Sequence, residues 1–333
     1  GCGGDGMDVA IRVVNETKKK KIIKECETGV DIDDVSVKTF GVSYLRSEAK
    51  TEDEGPTFRV CVVMELCKHG CMDDFINVHN NSIGLPARVS ILGTALRGLR
   101  KIKEKNIVWR DFKGQNMLVR GYETSGNAGK SPQQVQCVDF VFCDWGTAVD
   151  LSEDKHRRMT LYGPGTPGYI APETKGPRYS FQADMWAFLV WATGICVDTD
   201  KVSDGELEAQ LAALNLPKTS SSSKKLEAKA KAILRKFLDE GLVRRDCIAL
   251  YNFLTQCDWT DPVKRWTCEE ALEKLSEFTA AENKPPEKTE VEGQENCPAA
   301  KSSPKKALKP QRKQNGPTRR KPLGTLSTNK PVR

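Results

Sequence analysis

Four side chains in two short segments have the types and spacing that chemistry on phosphate would use. Trp109-Arg110-Asp111-Phe112-Lys113-Gly114-Gln115-Asn116 sets a carboxylate, an ammonium and an amide within six residues, and Asp144-Trp145-Gly146 brings a second carboxylate 28 positions after Asn116. Phosphoryl transfer needs a carboxylate to accept or orient the proton of the attacking hydroxyl. It also needs an oxygen ligand for Mg²⁺ a few residues away, with both held on one rigid loop. Taken singly, each segment reads equally well as a solvated loop, so the weight lies in their joint occurrence.

The first segment resembles the catalytic loop of the protein kinase family, H-R-D-L-x-x-x-N. That resemblance implies Asp111 as the base, Asn116 as a ligand of Mg²⁺, and Lys113 as a contact to the transferring phosphate, the choice typical of Ser/Thr kinases. Trp109 stands where the family has His, at a packing position that an aromatic ring can fill. Asp144-Trp145-Gly146 resembles D-F-G. By that resemblance Asp144 ligates Mg²⁺, Trp145 packs beneath the small-lobe helix, and Gly146 permits the turn. Asp139-Phe140 is a decoy, because Val141 follows it.

Gly165-Thr166-Pro167-Gly168-Tyr169-Ile170-Ala171-Pro172-Glu173 resembles the segment ending in A-P-E that underlies the substrate peptide. The likeness implies Thr166 close to Asp111 and Lys113, and Glu173 paired with Arg265. Asp184-Met185-Trp186 resembles the start of the family's central helix, whose Asp holds the catalytic-loop backbone. Arg110 ahead of Asp111 implies control by phosphorylation between Asp144 and Glu173. Ser152, Thr160 and Tyr162 are candidate acceptors there, with Arg110, joined by Arg157 or Arg158, as the candidate partner of the phosphate. The motifs keep the family's order across residues 9–275.

For the nucleotide, Val62-Val63-Met64-Glu65-Leu66-Cys67 resembles the strand that enters the interlobe hinge. The implied contacts to ATP are Ala10, Met64, Glu65, Cys67, Asn116, Met117, Leu118, Cys143 and Asp144, with Asn116 and Asp144 on the metal. Val9-Ala10-Ile11-Arg12 resembles V-A-I-K, so Arg12 stands where the family's phosphate-gripping Lys does. Arg keeps the charge but changes the shape. Glu25 is the first candidate for its helix partner and Glu27 the second. Gly1, Gly3, Gly4 and Gly6 lie too near Arg12 to form a phosphate-covering loop, which needs two strands and a turn before that residue; they read as a turn.

These groups need elements to hold them. Residues 7–14, 35–45 and 58–65 are rich in β-branched residues and read as strands, with a helix over 18–27 between the first two. Val89, Leu92, Leu96, Leu99 and Ile102 recur at helical spacing. A short strand is expected over 116–119, a polar surface loop over 121–136, a strand over 137–143, and a long apolar helix near 183–195. A loop follows over 218–225, then two or three helices that end near Phe278. Strands first and helices later describe an α+β, two-lobed domain. Its division is a strand-rich lobe over 1–66, lacking the Gly-rich loop, a helical lobe over 67–280, and a tail over 281–333.

Bulk properties exclude other classes. The chain has 333 residues and no apolar run long enough to span a bilayer. Its twelve cysteines form no C-x-x-C pair, and the three histidines are dispersed. Cys61, Cys137, Cys143 and Cys196 sit in apolar runs and read as buried free thiols in a reducing compartment. The net charge of +7 is uneven: residues 301–333 carry eleven Lys or Arg and no Asp or Glu, which leaves −4 for residues 1–300. That tail lacks the apolar surface to offset its ordering entropy and reads as disordered. Its Pro304-Lys305-Lys306 and Arg319-Arg320-Lys321 fit nuclear import, binding to nucleic acid, anionic lipid or an acidic partner, or a plain solvated linker, in a cytoplasmic or nuclear chain.

Three functions follow as expectations. The first is a Ser/Thr protein kinase using ATP and Mg²⁺ on protein substrates. The second is a pseudokinase, a scaffold or binding module on the same fold, suggested by Arg12 and by the missing Gly-rich loop. The third makes the basic tail the working part, with the folded domain as its passenger.

Overall fold

The computed structural model describes residues 8–15, 18–32, 34–47, 57–125, 133–152, 165–175, 180–203, 205–212 and 223–282. The chain divides into two units, Gly1–Lys284 and Pro285–Arg333, and all described residues fall in the first. The glycines before residue 7, Arg157, Arg158, Thr160, Tyr162 and the basic tail lie outside the described residues.

Strands rich in β-branched and aromatic residues build a three-stranded antiparallel sheet of order β1-β3-β2, from β1 (Val9–Asn15), β2 (Thr39–Ser47) and β3 (Thr57–Glu65). Helix α1 (Lys19–Asp31) packs its Ile22, Ile23 and Cys26 on Val14, Val60, Val62 and Met64 of that sheet. It runs four residues past the expected end at 27.

The second lobe is helical. Helix α2 (Met72–His79) buries Met72, Phe75 and Ile76; its single short apolar face gave no clear periodic signal. Helix α3 (Leu85–Glu104) buries Ile91, Leu92, Ala95, Leu96, Leu99 and Ile102 at the expected spacing. Lys101 and Lys103 in its last turn suit the negative end of the helix dipole. Asn106, at φ 58, then turns the chain into β4 (Ile107–Val108), which pairs with β7 (Val149–Asp150).

At both ends of the interval 121–136, expected as a loop, the chain is strand: residues 121–125 belong to β5 (Met117–Ser125) and 134–136 to β6 (Gln134–Phe142), which pair antiparallel. Backbone pairing carries these strands beyond the apolar residues that marked them. Cys137 is exposed on β6 and Cys143 half-buried, against the expectation of burial, whereas Cys61 and Cys196 are buried.

Helix α4 (Gln182–Gly194) is buried on every side from Ala183 to Thr193, so its sequence is apolar without periodicity. Around it lie α5 (Glu206–Ala212), α6 (Ser223–Asp239), α7 (Ile248–Leu254) and α8 (Cys268–Glu282). Helix α5 had no counterpart in the expected elements, and α6 begins inside the interval expected as a loop. No helix among the described residues is long and apolar enough to cross a membrane.

The lobes meet where Phe142 exchanges backbone hydrogen bonds with Val35 and Val37, each 2.8 Å. Behind this contact, Gly98 of α3 lies against the Phe142 ring, and a Cβ at Gly98 would sit 2.7 Å from its Cζ. Phe142 is held in turn by Trp109, Phe112 and Phe140. Gly98→Ala is therefore expected to destabilise the domain by about 1–2 kcal/mol, overpacking outweighing the gain in helix propensity. Urea unfolding checks this, and a stabilised variant would refute the packing argument.

Candidate active site

The segment after β4 is fastened from below. Asp184, in the first turn of α4, accepts the backbone N–H of Trp109 at 2.8 Å and of Arg110 at 2.7 Å. These bonds hold Arg110 at φ 68, a left-handed conformation that costs about 1–3 kcal/mol for a non-glycine residue. Arg110 Nε donates to the Thr147 carbonyl at 2.6 Å, and the Thr147 hydroxyl donates to the Trp109 carbonyl at 3.0 Å. Trp109 is fully buried, stacks on Trp145 at 4.9 Å, and donates its indole N–H to the Asp144 carbonyl at 3.1 Å. Trp145 donates its own to Ser36 at 2.8 Å. Both tryptophans fill aromatic packing positions and satisfy their polar edge.

The turn delivers Asp111, only 8% exposed. Its Oδ1 accepts the Thr166 hydroxyl at 2.8 Å, and its Oδ2 accepts Asn116 Nδ2 at 2.9 Å and lies 3.0 Å from Lys113 Nζ. Lys113 Nζ also donates to Thr166 Oγ1 at 2.7 Å. Gly114 packs directly on the Asp73 carboxylate, where a Cβ would collide. Thr166 is set by the segment ending at Glu173, which Arg265 holds in a bidentate pair at 2.6 and 3.0 Å. Arg265 is buried and also donates to the Trp259 carbonyl at 2.7 Å.

A cleft of about 330 Å³ opens between the sheet and this loop. Ala10 and Met64, opposite each other across β1 and β3, line it with Glu65, Leu66 and Cys67. Leu118, Asn116, Cys143 and Asp144 line it from the other lobe. Met117, expected among these contacts, is instead fully buried in the core, because side chains alternate faces along β5. Asp139 is exposed on β6 and does not line the cleft. Burial pushes the Cys67 thiol up to about 11 and the Cys143 thiol to about 12, so both stay protonated and act as apolar wall.

Arg12 lines the cleft and is paired through Nη1 with Glu25 Oε1. Glu25 is buried, on the α1 face that also brings Ile22, Cys26 and Gly29 to the cleft. Glu27, about 200° further round the helix, is exposed. Ile22 and Cys26 of α1, Thr39 at the start of β2, and Ser36 and Val37 in the connection between them also line the cleft and were not anticipated; only the tertiary fold brings them together. A second cavity of about 690 Å³ adjoins Lys113 and Thr166, with Asp73, Tyr169, Trp191 and Glu208 in its walls.

Residues 5–275 match the protein kinase domain. The chain belongs to the protein kinase family. Among curated proteins, the kinase domain is similar to serine/threonine-protein kinase CLA4 of Eremothecium gossypii, 31% identical over 156 residues that cover 44% of this chain and 16% of that protein. It is 26% identical over 186 residues to serine/threonine-protein kinase SKM1 of Saccharomyces cerevisiae, covering 53% and 24%. It is 28% identical over 173 residues to CLA4 of Candida albicans, covering 52% and 15%. The matches thus span between 15% and 24% of the length of these relatives.

The buried Asp184 carboxyl of this kinase domain is pushed up to about 6 by burial, against the pull of its two backbone N–H partners and of Arg110. A carboxyl with a higher pKa folded than unfolded holds its proton more tightly in the native chain. Its stabilising share is fully present below about pH 4 and is lost as the pH rises through about 6. The stability advantage of the unmodified chain over Asp184→Asn is therefore expected to be about 2 kcal/mol larger at pH 4 than at pH 7.5. Urea unfolding at the two pH values measures it, and a pH-independent difference would rule this account out.

Proposed function

We propose that this domain is a Ser/Thr protein kinase that transfers the γ-phosphoryl group of ATP to hydroxyl groups of protein substrates. The observation that carries the reading is a hydroxyl, that of Thr166, within 2.8 Å of the Asp111 carboxylate and 2.7 Å of the Lys113 ammonium. A substrate hydroxyl docked at the same place has its base and its cation within hydrogen-bond reach, the first geometric requirement of general-base catalysis.

The donor set suits Mg²⁺. Asn116 spends its amide nitrogen on the Asp111 carbonyl and carboxylate at 2.8 and 2.9 Å, which leaves its amide oxygen as the ligand atom. The Asp144 carboxylate is exposed on the same cleft. Two hard oxygen ligands match a cation that keeps waters and takes phosphate oxygens. When bound, Mg²⁺·ATP supplies the phosphorus centre and screens the phosphate charge. Asp111 takes the hydroxyl proton on a carboxylate oxygen, and Lys113 offsets the charge beside it. Ala10, Met64, Leu118 and the backbone at Glu65 and Cys67 receive the base, in a lobe over residues 1–66, while residues 67–280 carry the catalytic groups. The tail over 281–333 is read as a tether for an acidic partner in the cytoplasm or nucleus.

A second reading, a scaffold or binding module without catalysis, is favoured by Arg12. Transfer of labelled phosphate from ATP·Mg²⁺ to a basic protein substrate separates the two. The chain is expected to label substrate, Asp111→Asn to lose about 10²–10⁴-fold in rate, and Arg12→Lys to match or exceed the chain. No labelling by the chain but labelling by Arg12→Lys would establish the scaffold reading. Labelling that survives in Asp111→Asn would sink the assignment of the base.

A further inference from the structure

Glu65 ends β3, and Arg120 sits on β5 in the other lobe. The Arg120 guanidinium grips the Glu65 carboxylate in a fork, Nε to Oε1 at 2.7 Å and Nη2 to Oε2 at 2.8 Å. The two side chains are 24% and 23% exposed, so water screens the pair little. The Arg120 hydrogen bonds hold the Glu65 carboxyl below its ordinary value, against the effect of burial. Glu65 is also fixed on the sheet side, its backbone N–H donating to the Lys38 carbonyl at 2.9 Å. Beyond it the chain crosses between lobes, His69 packing edge-on against Tyr122 of β5 at 5.1 Å and the Gly70 carbonyl accepting Val119 N–H at 2.9 Å.

The strand-rich lobe has a second fastening, at residues 34–37, through Phe142, Trp145 and the Lys101–Asp34 pair. Two separated fastenings fix an orientation, whereas one leaves a pivot at the crossing residues. The Asp8–Lys68 pair near the crossing, at 2.8 Å, is exposed on both sides and adds little.

We propose that Arg120 is a positioning residue: acting through Glu65, it latches the crossing at residues 65–70, sets the cleft between the lobes, and so sets the affinity for nucleotide. The consequence for nucleotide rests on the reading of that cleft as the ATP site. The fork matters because two parallel bonds fix direction as well as distance, which a lysine ammonium does not supply.

The test uses the chain and its Arg120→Ala, Arg120→Lys and Arg120→Ala/Glu65→Gln variants, with two readouts. Amide hydrogen exchange without nucleotide is expected to be about tenfold faster over residues 64–70 in Arg120→Ala, with no change in the buried core of α3. Calorimetric binding of ATP·Mg²⁺ is expected to weaken about fivefold in Arg120→Ala and less in Arg120→Lys. The double variant is expected to be no weaker than Arg120→Ala, since the two residues act as one unit. Unchanged exchange over residues 64–70 would overturn the latch. So would faster exchange that extends equally to α3, or faster local exchange with unaltered ATP affinity. Failure of the unmodified chain to bind ATP would count against the nucleotide reading of the cleft instead, and the exchange data would still decide the latch.

Discussion

The Asp184 carboxylate, buried at the head of α4, carries the geometry of the whole site. It accepts two successive backbone N–H groups, those of Trp109 and Arg110, and so holds a left-handed turn that the chain would otherwise leave. The turn points Asp111 toward Thr166 and Lys113. Helix α4 can act as an anchor because Met185, Trp186, Phe188, Leu189, Val190 and Trp191 are all buried around its circumference. A helix packed on every side cannot rotate or slide without opening cavities, so the position of Asp184 is set by the core and passed on through two hydrogen bonds.

From the same anchor an aromatic column runs toward the sheet. Trp109 stacks on Trp145, and Trp145 reaches Ser36 in the turn that precedes β2. The two indole N–H groups bind the Asp144 carbonyl and the Ser36 hydroxyl. Tryptophan at these places thus adds directed bonds to what a purely apolar ring would give. The cost is that each buried N–H must keep its partner. Asp144, at φ 61, is fixed by this arrangement next to Asn116 on the cleft.

What could be read from sequence follows the range of the interactions involved. The spacing of Leu92, Leu96 and Leu99 showed α3 because helical burial is a local, periodic property. The order of Asp111, Asn116, Asp144, Glu173 and Asp184 pointed to the kinase family because those residue types are chemically demanding. The β5–β6 hairpin was partly hidden, since its distal residues are polar and are strands only by pairing with each other. Met117 was misplaced by the same alternation, which sends Asn116 and Leu118 to the cleft and Met117 to the core. The fork between Glu65 and Arg120 left no trace, because its two residues lie 55 positions apart and Arg120 belongs to no recognisable motif. The choice between Glu25 and Glu27 needed the sheet, which selects the face of α1 that turns inward.

That same face frames the question Arg12 raises. Lysine and arginine at this position carry the same charge but distribute it differently. An ammonium concentrates it at one atom, which must serve a helix carboxylate and a phosphate together. A guanidinium spreads it over a planar fork with five donors. Here one terminal nitrogen is bound to Glu25, while the side chain as a whole remains 39% exposed at the cleft. The ion pair that joins β1 to α1 is thus kept with arginine, and donors remain on the guanidinium after that bond is made. What changes is reach and direction: the fork is longer and its remaining donors lie in the plane set by the bond to Glu25. The sheet and helix fix that plane, so on the proposed reading of the cleft the meeting of Arg12 with a phosphate depends on how the lobes are held together, at Phe142 and its bonds to Val35 and Val37 among other contacts.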